Sequence, residues 1–327
     1  MHQPVTLPPT PDADEPKNDF FGRRFIGEAA TALYLAGIAF IALRTGIVYI
    51  LFPELAALSH DILTRPHGTW AKAPLMLVVT PLLTAAAGTL VARFMPYGVV
   101  SILSIVAFSV LVIRLLRSPI APAISAGLLP VTLSLSSWWY APAILLGTGL
   151  LTAVAVLLAR VAPPSRAAID PRDLIDDRIE ESPQDYSWVP FFLAFLVGMA
   201  AFAVLSGRRL LLFPPLVVMA FEMFAHSAVC PWAKRPLLLP LACALTAAGG
   251  VLAVAWLGIG PLAAVCSTAF GVVVLRLFDL HVPPALAVGL LPFVMPHPNY
   301  EFPVAVGIGT ALLTASFQVW RRVRPAL

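Results

Sequence analysis

The chain contains an internal duplication. Residues Trp70 to Ala153 align without a gap on Trp232 to Ala315, and roughly 30 of about 84 aligned positions are identical. Upstream, LFPEL at Leu51 returns as LFPPL at Leu212 with one residue of slippage. A repeat of about 160 residues is too long for a solenoid unit. The sequence therefore predicts two copies of one domain.

Both copies are strongly apolar. Hydrophobic residues make up 59% of the chain, charged residues only 12%, and the mean hydropathy is +0.89. Soluble domains carry about twice that charged fraction. Many apolar stretches approach the ~20 residues needed to cross a bilayer. We therefore expect an all-α polytopic protein whose main partner is the lipid bilayer.

The net charge of +4 lies in loops and tails, with no basic patch interleaved with aromatic residues. A nucleic-acid partner is therefore not expected. The charged and polar stretches divide the chain into five regions. These are a disordered tail at 1–25, a first membrane repeat at 26–161, a charged linker at 162–187, a second membrane repeat at 188–320 and a tail at 321–327.

Each repeat contains six apolar segments. They run near 28–44, 46–63, 74–93, 97–117, 119–133 and 139–161 in the first repeat. They run near 188–205, 207–227, 236–257, 259–278, 282–296 and 303–320 in the second. An even number of crossings in each half makes the two repeats parallel, related by an axis along the membrane normal.

Positive charge indicates the orientation. Arginines precede the first segment, lie in the linker and follow the last segment: Arg23, Arg24, Arg166, Arg172, Arg178, Arg321, Arg322 and Arg324. Loops rich in Lys and Arg stay in the cytoplasm. We therefore expect both termini and the linker to be cytoplasmic.

Two segments in each repeat are interrupted by proline. The second holds LFPEL or LFPPL, and the fifth is short and opens with SPIAPA or HVPPA. The fifth segments contain Pro119 and Pro122 in one repeat and Pro283 and Pro284 in the other. Short, Pro-interrupted segments at matching places in two halves indicate a binding site. The alternative is a kinked helix or an ordinary loop at the membrane surface.

Two arginines occupy matching places just before the fifth segments. Arg114 aligns with Arg276, each in an apolar stretch. Guanidinium groups facing the interior would attract a small anion, because they stay charged and donate several hydrogen bonds. The alternative is that both side chains extend to lipid headgroups.

Three more polar residues are candidates for the transport pathway. Glu222 and His226 are four residues apart in an apolar segment and could carry a proton, while His281 precedes the second Pro-rich segment. The alternative is that Glu222 lies at a helix end and that the histidines are structural or interfacial. Glu54 occupies the place that Pro215 holds in the second repeat. No third ligand stands at metal-binding spacing, so neither a metal nor a cofactor is expected. The chain has no HExxH, GxSxG or phosphate-binding loop, so we do not expect an enzyme.

The second repeat resembles the HPP family of integral membrane proteins. The similarity lies in LFPPLVVMAF, CPWAKRPL and LHVPPALAVGLLP, in that order and at the family's spacing. The chain is similar to two fused HPP domains, although Val282 separates His281 from the proline pair. The resemblance implies a bacterial inner-membrane protein and, because nitrite transport is described in the family, a small anion as substrate.

The sequence thus favours a transporter or channel for a small inorganic anion such as nitrite, with its site between the two repeats. Two alternatives remain open. One is a membrane-embedded enzyme or accessory subunit, and the other is a structural membrane scaffold.

Overall fold

The protein is an all-α bundle. The computed structural model describes residues 17–161, 171–181, 183 and 185–323, and within them it has thirteen α-helices and no β-strand. Six of these helices are long and apolar enough to cross a membrane on their own. This confirms the predicted class of polytopic helical membrane protein.

The helices of the first repeat and the linker are α1 (Lys17–Thr45), α2 (Leu55–Thr64), α3 (Pro74–Phe94), α4 (Val99–Leu116), α5 (Ala123–Leu133), α6 (Tyr140–Val161) and α7 (Pro171–Glu180). Those of the second repeat are α8 (Val189–Leu205), α9 (Pro214–Ala225), α10 (Leu238–Leu257), α11 (Pro261–Leu277), α12 (Pro283–Leu290) and α13 (Glu301–Val323). Each helix of the first repeat has a counterpart in the second, and α7 alone belongs to the linker.

Contacts between helix ends show that the repeats run in the same direction. On the side where α7 lies, here named the linker side, Arg276 at the end of α11 pairs with Glu28 in the first turns of α1. On the opposite side, named the far side, Arg209 after α8 donates to Ser134 after α5. The two repeats are therefore parallel, as predicted.

The interface between the repeats has an outer and an inner part. In the outer part α1 packs on α11, and the equivalent pair α4 and α8 does the same. In the inner part α2 packs on α12, and α5 packs on α9. Because each contact is repeated with the halves exchanged, a pseudo-twofold axis passes between them, and the four short helices surround it.

Glycine pairs bring the fifth segments close to the third. A side-chain Cβ at Gly88 in α3 would overlap the carbonyl of Gly127 in α5, and one at Gly250 in α10 would overlap that of Gly289 in α12. Both pairs stand at equivalent positions of the repeat. Small residues at such crossings let two backbones approach within the membrane.

Three helices do not follow the predicted division of the chain into regions. Helix α1 begins at Lys17, within the tail predicted at 1–25, and residues 1–16 lie outside the described part of the chain. The linker predicted at 162–187 contains α7, whose Ile179 is buried against the bundle. Helix α13 continues to Val323, beyond the boundary at 320, and residues 324–327 lie outside the description.

Candidate functional site

Four short helices form the centre of the bundle. Helices α2, α5, α9 and α12 contain eight to twelve residues each, and nearly all of these residues are buried. Prolines lead three of them: Pro122 precedes α5, Pro214 opens α9, and Pro283 and Pro284 open α12. Proline fits the first turn of a helix because its missing N–H has no helical acceptor there. These segments are therefore broken inside the protein and not at its surface.

Glu54 precedes the first turn of α2. Its side chain is 1% exposed, and neither carboxyl oxygen has a charged partner among the described residues. It faces Ser125 of α5 and lies within electrostatic range of Tyr140 in α6. The ten residues of α2 span about 15 Å, half of a hydrocarbon core of about 30 Å. Because the C-terminal end of α2 lies at the linker side, Glu54 lies near the mid-depth of the hydrocarbon core.

A cluster of charges closes the linker-side end of α2. The guanidinium of Arg65 contacts the carboxylates of Asp61 in α2 and Glu180 in α7. Its Nη1 also lies 3.3 Å from Asp177 Oδ1 and 4.0 Å from Asp176 Oδ2. Four carboxyl groups thus surround one cation, so the cluster has an excess of acid.

The second repeat has an equivalent pair of residues in α9. Glu222 corresponds to Asp61, and His226 corresponds to Arg65, with the same spacing of four residues. Glu222 is 2% exposed and lies within electrostatic range of both Asp61 and Asp176. The predicted candidates Glu222 and His226 therefore lie at the linker-side end of the inner helices, near the pseudo-twofold axis.

Helix α7 contacts both repeats. Asp177 accepts a hydrogen bond from the backbone N–H of Thr69, 3.0 Å away, next to its contact with Arg65. Asp176 lies 3.1 Å from Nε2 of His281, which precedes α12. The candidate His281 thus holds the linker helix to the second repeat.

The expectation that Arg114 and Arg276 face the interior was wrong. Both lie exposed at the linker-side ends of α4 and α11. The side chain of Arg276 is 57% exposed and pairs with Glu28. The guanidinium carbon of Arg114 lies 4.4 Å from the centre of the Tyr186 ring. Each arginine comes in the last turn of its helix, so its side chain reaches the surface, where a charge keeps its hydration.

A cavity of about 930 Å³ opens beside Arg114. It lies between α4 of the first repeat and the start of α8, and Phe221 of α9 forms part of its wall. Its polar lining consists of Thr69, Lys72, Arg114, Arg117, Glu181 and Tyr186. Three cations and one carboxylate give the cavity a net positive charge.

The positive charge of this cavity is not repeated in full at the equivalent place of the second repeat. The residue equivalent to Arg117 is Asp279, which pairs with Arg235 at 3.0 Å. The residue equivalent to Arg235 is Ala73 in the wall of the cavity. The second repeat therefore places an ion pair where the first places an arginine. Pro119 also lines the cavity, and its carbonyl accepts a hydrogen bond from Trp70.

Sequence reasoning missed Arg65, Asp61 as its partner, and Arg117. Arg65 and Asp61 have the same spacing as His226 and Glu222. Aligning the two repeats could therefore have identified Arg65 and Asp61 as a candidate pair. Among the described residues, no group of three or more His, Cys, Asp and Glu side chains is arranged to hold a metal ion.

No protein-family model, curated protein or solved structure matches this chain. The resemblance to the HPP family therefore rests on the sequence motifs alone.

Proposed function

We propose that the protein carries a small inorganic anion, of the size and charge of nitrite, across the membrane between its two repeats. The observation that carries this proposal is the meeting of four short, buried helices from both repeats at the pseudo-twofold axis. Broken helices at membrane depth leave backbone groups inside the bundle. Such groups replace part of the hydration shell of an ion in transporters of two-repeat architecture.

The basic cavity supports the choice of an anion. Lys72, Arg114 and Arg117 line it on the linker side, and it reaches α9 at the boundary between the repeats. A concave site of positive charge raises the local concentration of anions. In this proposal the arginines that attract the anion line the basic cavity at the surface, and they do not form a symmetric pair in the interior.

The acidic cluster supports a second candidate, a monovalent cation. Asp61, Glu222 and the acids of α7 lie near the axis with Arg65 as their main cation. Buried carboxylates attract cations and repel anions. The two candidates differ in the sign of the transported charge, so one experiment separates them.

Two further features support a bacterial inner membrane with a cytoplasmic linker. The first is the resemblance to the HPP family. The second is the distribution of positive charge. The far side carries Arg44, Arg93, Arg208 and Arg209, whereas the linker side carries Arg65, Lys72, Arg114, Arg117, Arg160, Lys234, Arg235, Arg276, Arg321 and Arg322. The richer side is cytoplasmic by the positive-inside rule.

The test is uptake into proteoliposomes from a panel of nitrite, nitrate, chloride, sodium and potassium, with empty liposomes as the background. We expect protein-dependent uptake of nitrite or nitrate. Arg114→Gln should slow uptake several-fold at low salt, and the loss should shrink as ionic strength rises, because the arginine acts by long-range attraction.

Arg276→Gln is the matched control. It removes the pseudo-symmetric arginine, whose charge is paired with Glu28 and which does not line the cavity. We expect its uptake to equal that of the wild type. An equal loss of uptake in both variants would contradict the proposed role of the basic cavity. Uptake of sodium or potassium alone would favour the second candidate, and no uptake of any ion would favour an enzyme, an accessory subunit or a scaffold.

A further inference from the structure

Glu54 is a buried carboxyl group without a counter-ion. It is 1% exposed, and no described residue forms a salt bridge with it. Its polar neighbours are the Ser125 hydroxyl of α5 and Tyr140 of α6, whose own hydroxyl donates to the carbonyl of Ala126. Tyr49 packs edge-on against Tyr140. None of these groups carries a positive charge.

A carboxylate in such surroundings is costly. Removing an ion from water without a partner costs several kcal/mol or more, so the group takes up a proton instead. The one polar side chain that Glu54 faces closely is the buried hydroxyl of Ser125. A single hydroxyl does not replace the hydration that a carboxylate loses on burial, so the neutral carboxyl is favoured here.

The position of Glu54 matters for transport. It lies at the broken start of α2, near mid-depth, about 15 Å along the helix from the charges around Arg65. The equivalent residue in the second repeat is Pro215, which has no titratable group. At this pair of equivalent positions the chain therefore carries one carboxyl and not two.

We propose that Glu54 is the proton-binding site that couples solute movement to a proton gradient, with one proton crossing for each monovalent anion. This inference rests on the proposed transport function. The carboxylate accepts a proton when it is accessible from one side, and the O–H bond breaks to release the same proton on the other side. No electron is transferred. An anion and a proton that cross together carry no net charge, so the membrane potential does not oppose them.

The experiment uses the full chain in proteoliposomes loaded with a pH-sensitive dye, with nitrite or nitrate as the driving solute. In the wild type, an inward anion gradient should acidify the lumen beyond the change in empty liposomes, and an inward proton gradient should speed anion uptake. Glu54→Gln keeps the shape and neutrality of the protonated side chain. Its anion uptake should continue, but the proton gradient should no longer speed it and the protein-dependent acidification should disappear.

Glu301→Gln is the matched control, because Glu301 is exposed at the far-side start of α13. It should behave as the wild type does. Infrared spectra at neutral pH add a readout that needs no transport. The carbonyl band of a protonated carboxylic acid should be present in the wild type and in Glu301→Gln, and reduced in Glu54→Gln.

Three outcomes overturn the inference. An unchanged carbonyl band in folded Glu54→Gln shows that Glu54 is ionised. If anion uptake by the wild type does not depend on the proton gradient, the transport function is supported and the coupling to protons is contradicted. The absence of flux for every ion removes the transport function itself, and the coupling with it.

Discussion

The imidazole Nε2 of His281 lies 3.1 Å from Oδ2 of Asp176. This contact joins the second repeat to α7, whereas Arg65 joins the first repeat to the same helix. Through these two contacts α7 is held near the linker-side ends of both α2 and α12.

The contacts of Arg65 should contribute most of the stability with which α7 is docked on the bundle. Arg65→Gln leaves Asp61 buried without its cation, and Glu180 as well at a pH high enough to ionise it. Breaking a buried ion pair in this way costs about 3–5 kcal/mol. We expect the apparent melting temperature in detergent to fall by several degrees. Arg178→Gln, which removes an exposed arginine from α7, should change it little.

The double variant Arg65→Gln with Glu180→Gln checks the cause. Removing one carboxylate together with the cation should recover part of the lost stability, because fewer unpaired charges stay buried. If the two losses simply add, the destabilisation comes from packing and not from charge.

Docking of α7 should weaken as pH rises. Burial raises the pKa of Glu180 well above its usual range, the Asp61 carboxylate raises it further, and Arg65 offsets only part of this. A raised folded-state pKa favours the protonated form. Its stabilisation is complete below the unfolded pKa and is lost as pH rises through the folded pKa. Hydrogen exchange of α7, corrected for intrinsic rates, should therefore quicken with pH.

Glu180→Gln is neutral at every pH. It should remove most of this pH dependence while α7 stays docked. If exchange in the variant still quickens with pH as in the wild type, another acid of the cluster is responsible.

The glycine crossings should tolerate no side chain. Gly88→Ala and Gly250→Ala each bring a Cβ onto the carbonyl of the facing glycine, Gly127 or Gly289. We expect each to cost about 1–3 kcal/mol, because overpacking moves the backbone. Gly149→Ala, where no atom lies within 4 Å of the added Cβ, should be neutral or slightly stabilising. Thermal unfolding of the three variants in one detergent gives the comparison.

Cysteine labelling tests the parallel topology in cells. With Cys230, Cys243 and Cys266 replaced by alanine, single cysteines at Arg178 and Val323 should be protected from a membrane-impermeant reagent. One at Trp138, exposed on the far side, should react. Labelling of Arg178→Cys and Val323→Cys from opposite sides would contradict the parallel arrangement.

The fold could be predicted because the bilayer imposes strong rules on sequence. Apolar length and the repeat located α3 closely, predicted at 74–93 and observed at Pro74–Phe94. They were less accurate elsewhere: α1 begins at Lys17 and not near 28, and α2 begins at Leu55 and not near 46. Helix α7 was missed because its acidic sequence has no apolar stretch. It is stabilised by Arg65 and His281, which are distant in sequence.

The site was predicted less well, for a physical reason. Residue spacing places Arg114 in the last turn of an apolar helix, but it does not say whether the long side chain turns inward or toward the surface. The short fifth segments could be predicted directly from the prolines that interrupt them, Pro119, Pro122, Pro283 and Pro284. The pairing of Arg65 with Asp61 was visible only through its counterpart in α9.

The exchange of Glu54 for Pro215 has a consequence for ancestry and assembly. In a homodimer of one repeat, every residue occurs twice around the axis, so a glutamate at this place would bring two uncompensated carboxyls into the same core. Joining the copies in one chain frees each position to mutate by itself. A single mid-membrane carboxyl is therefore an arrangement that a symmetric dimer of either half cannot reproduce.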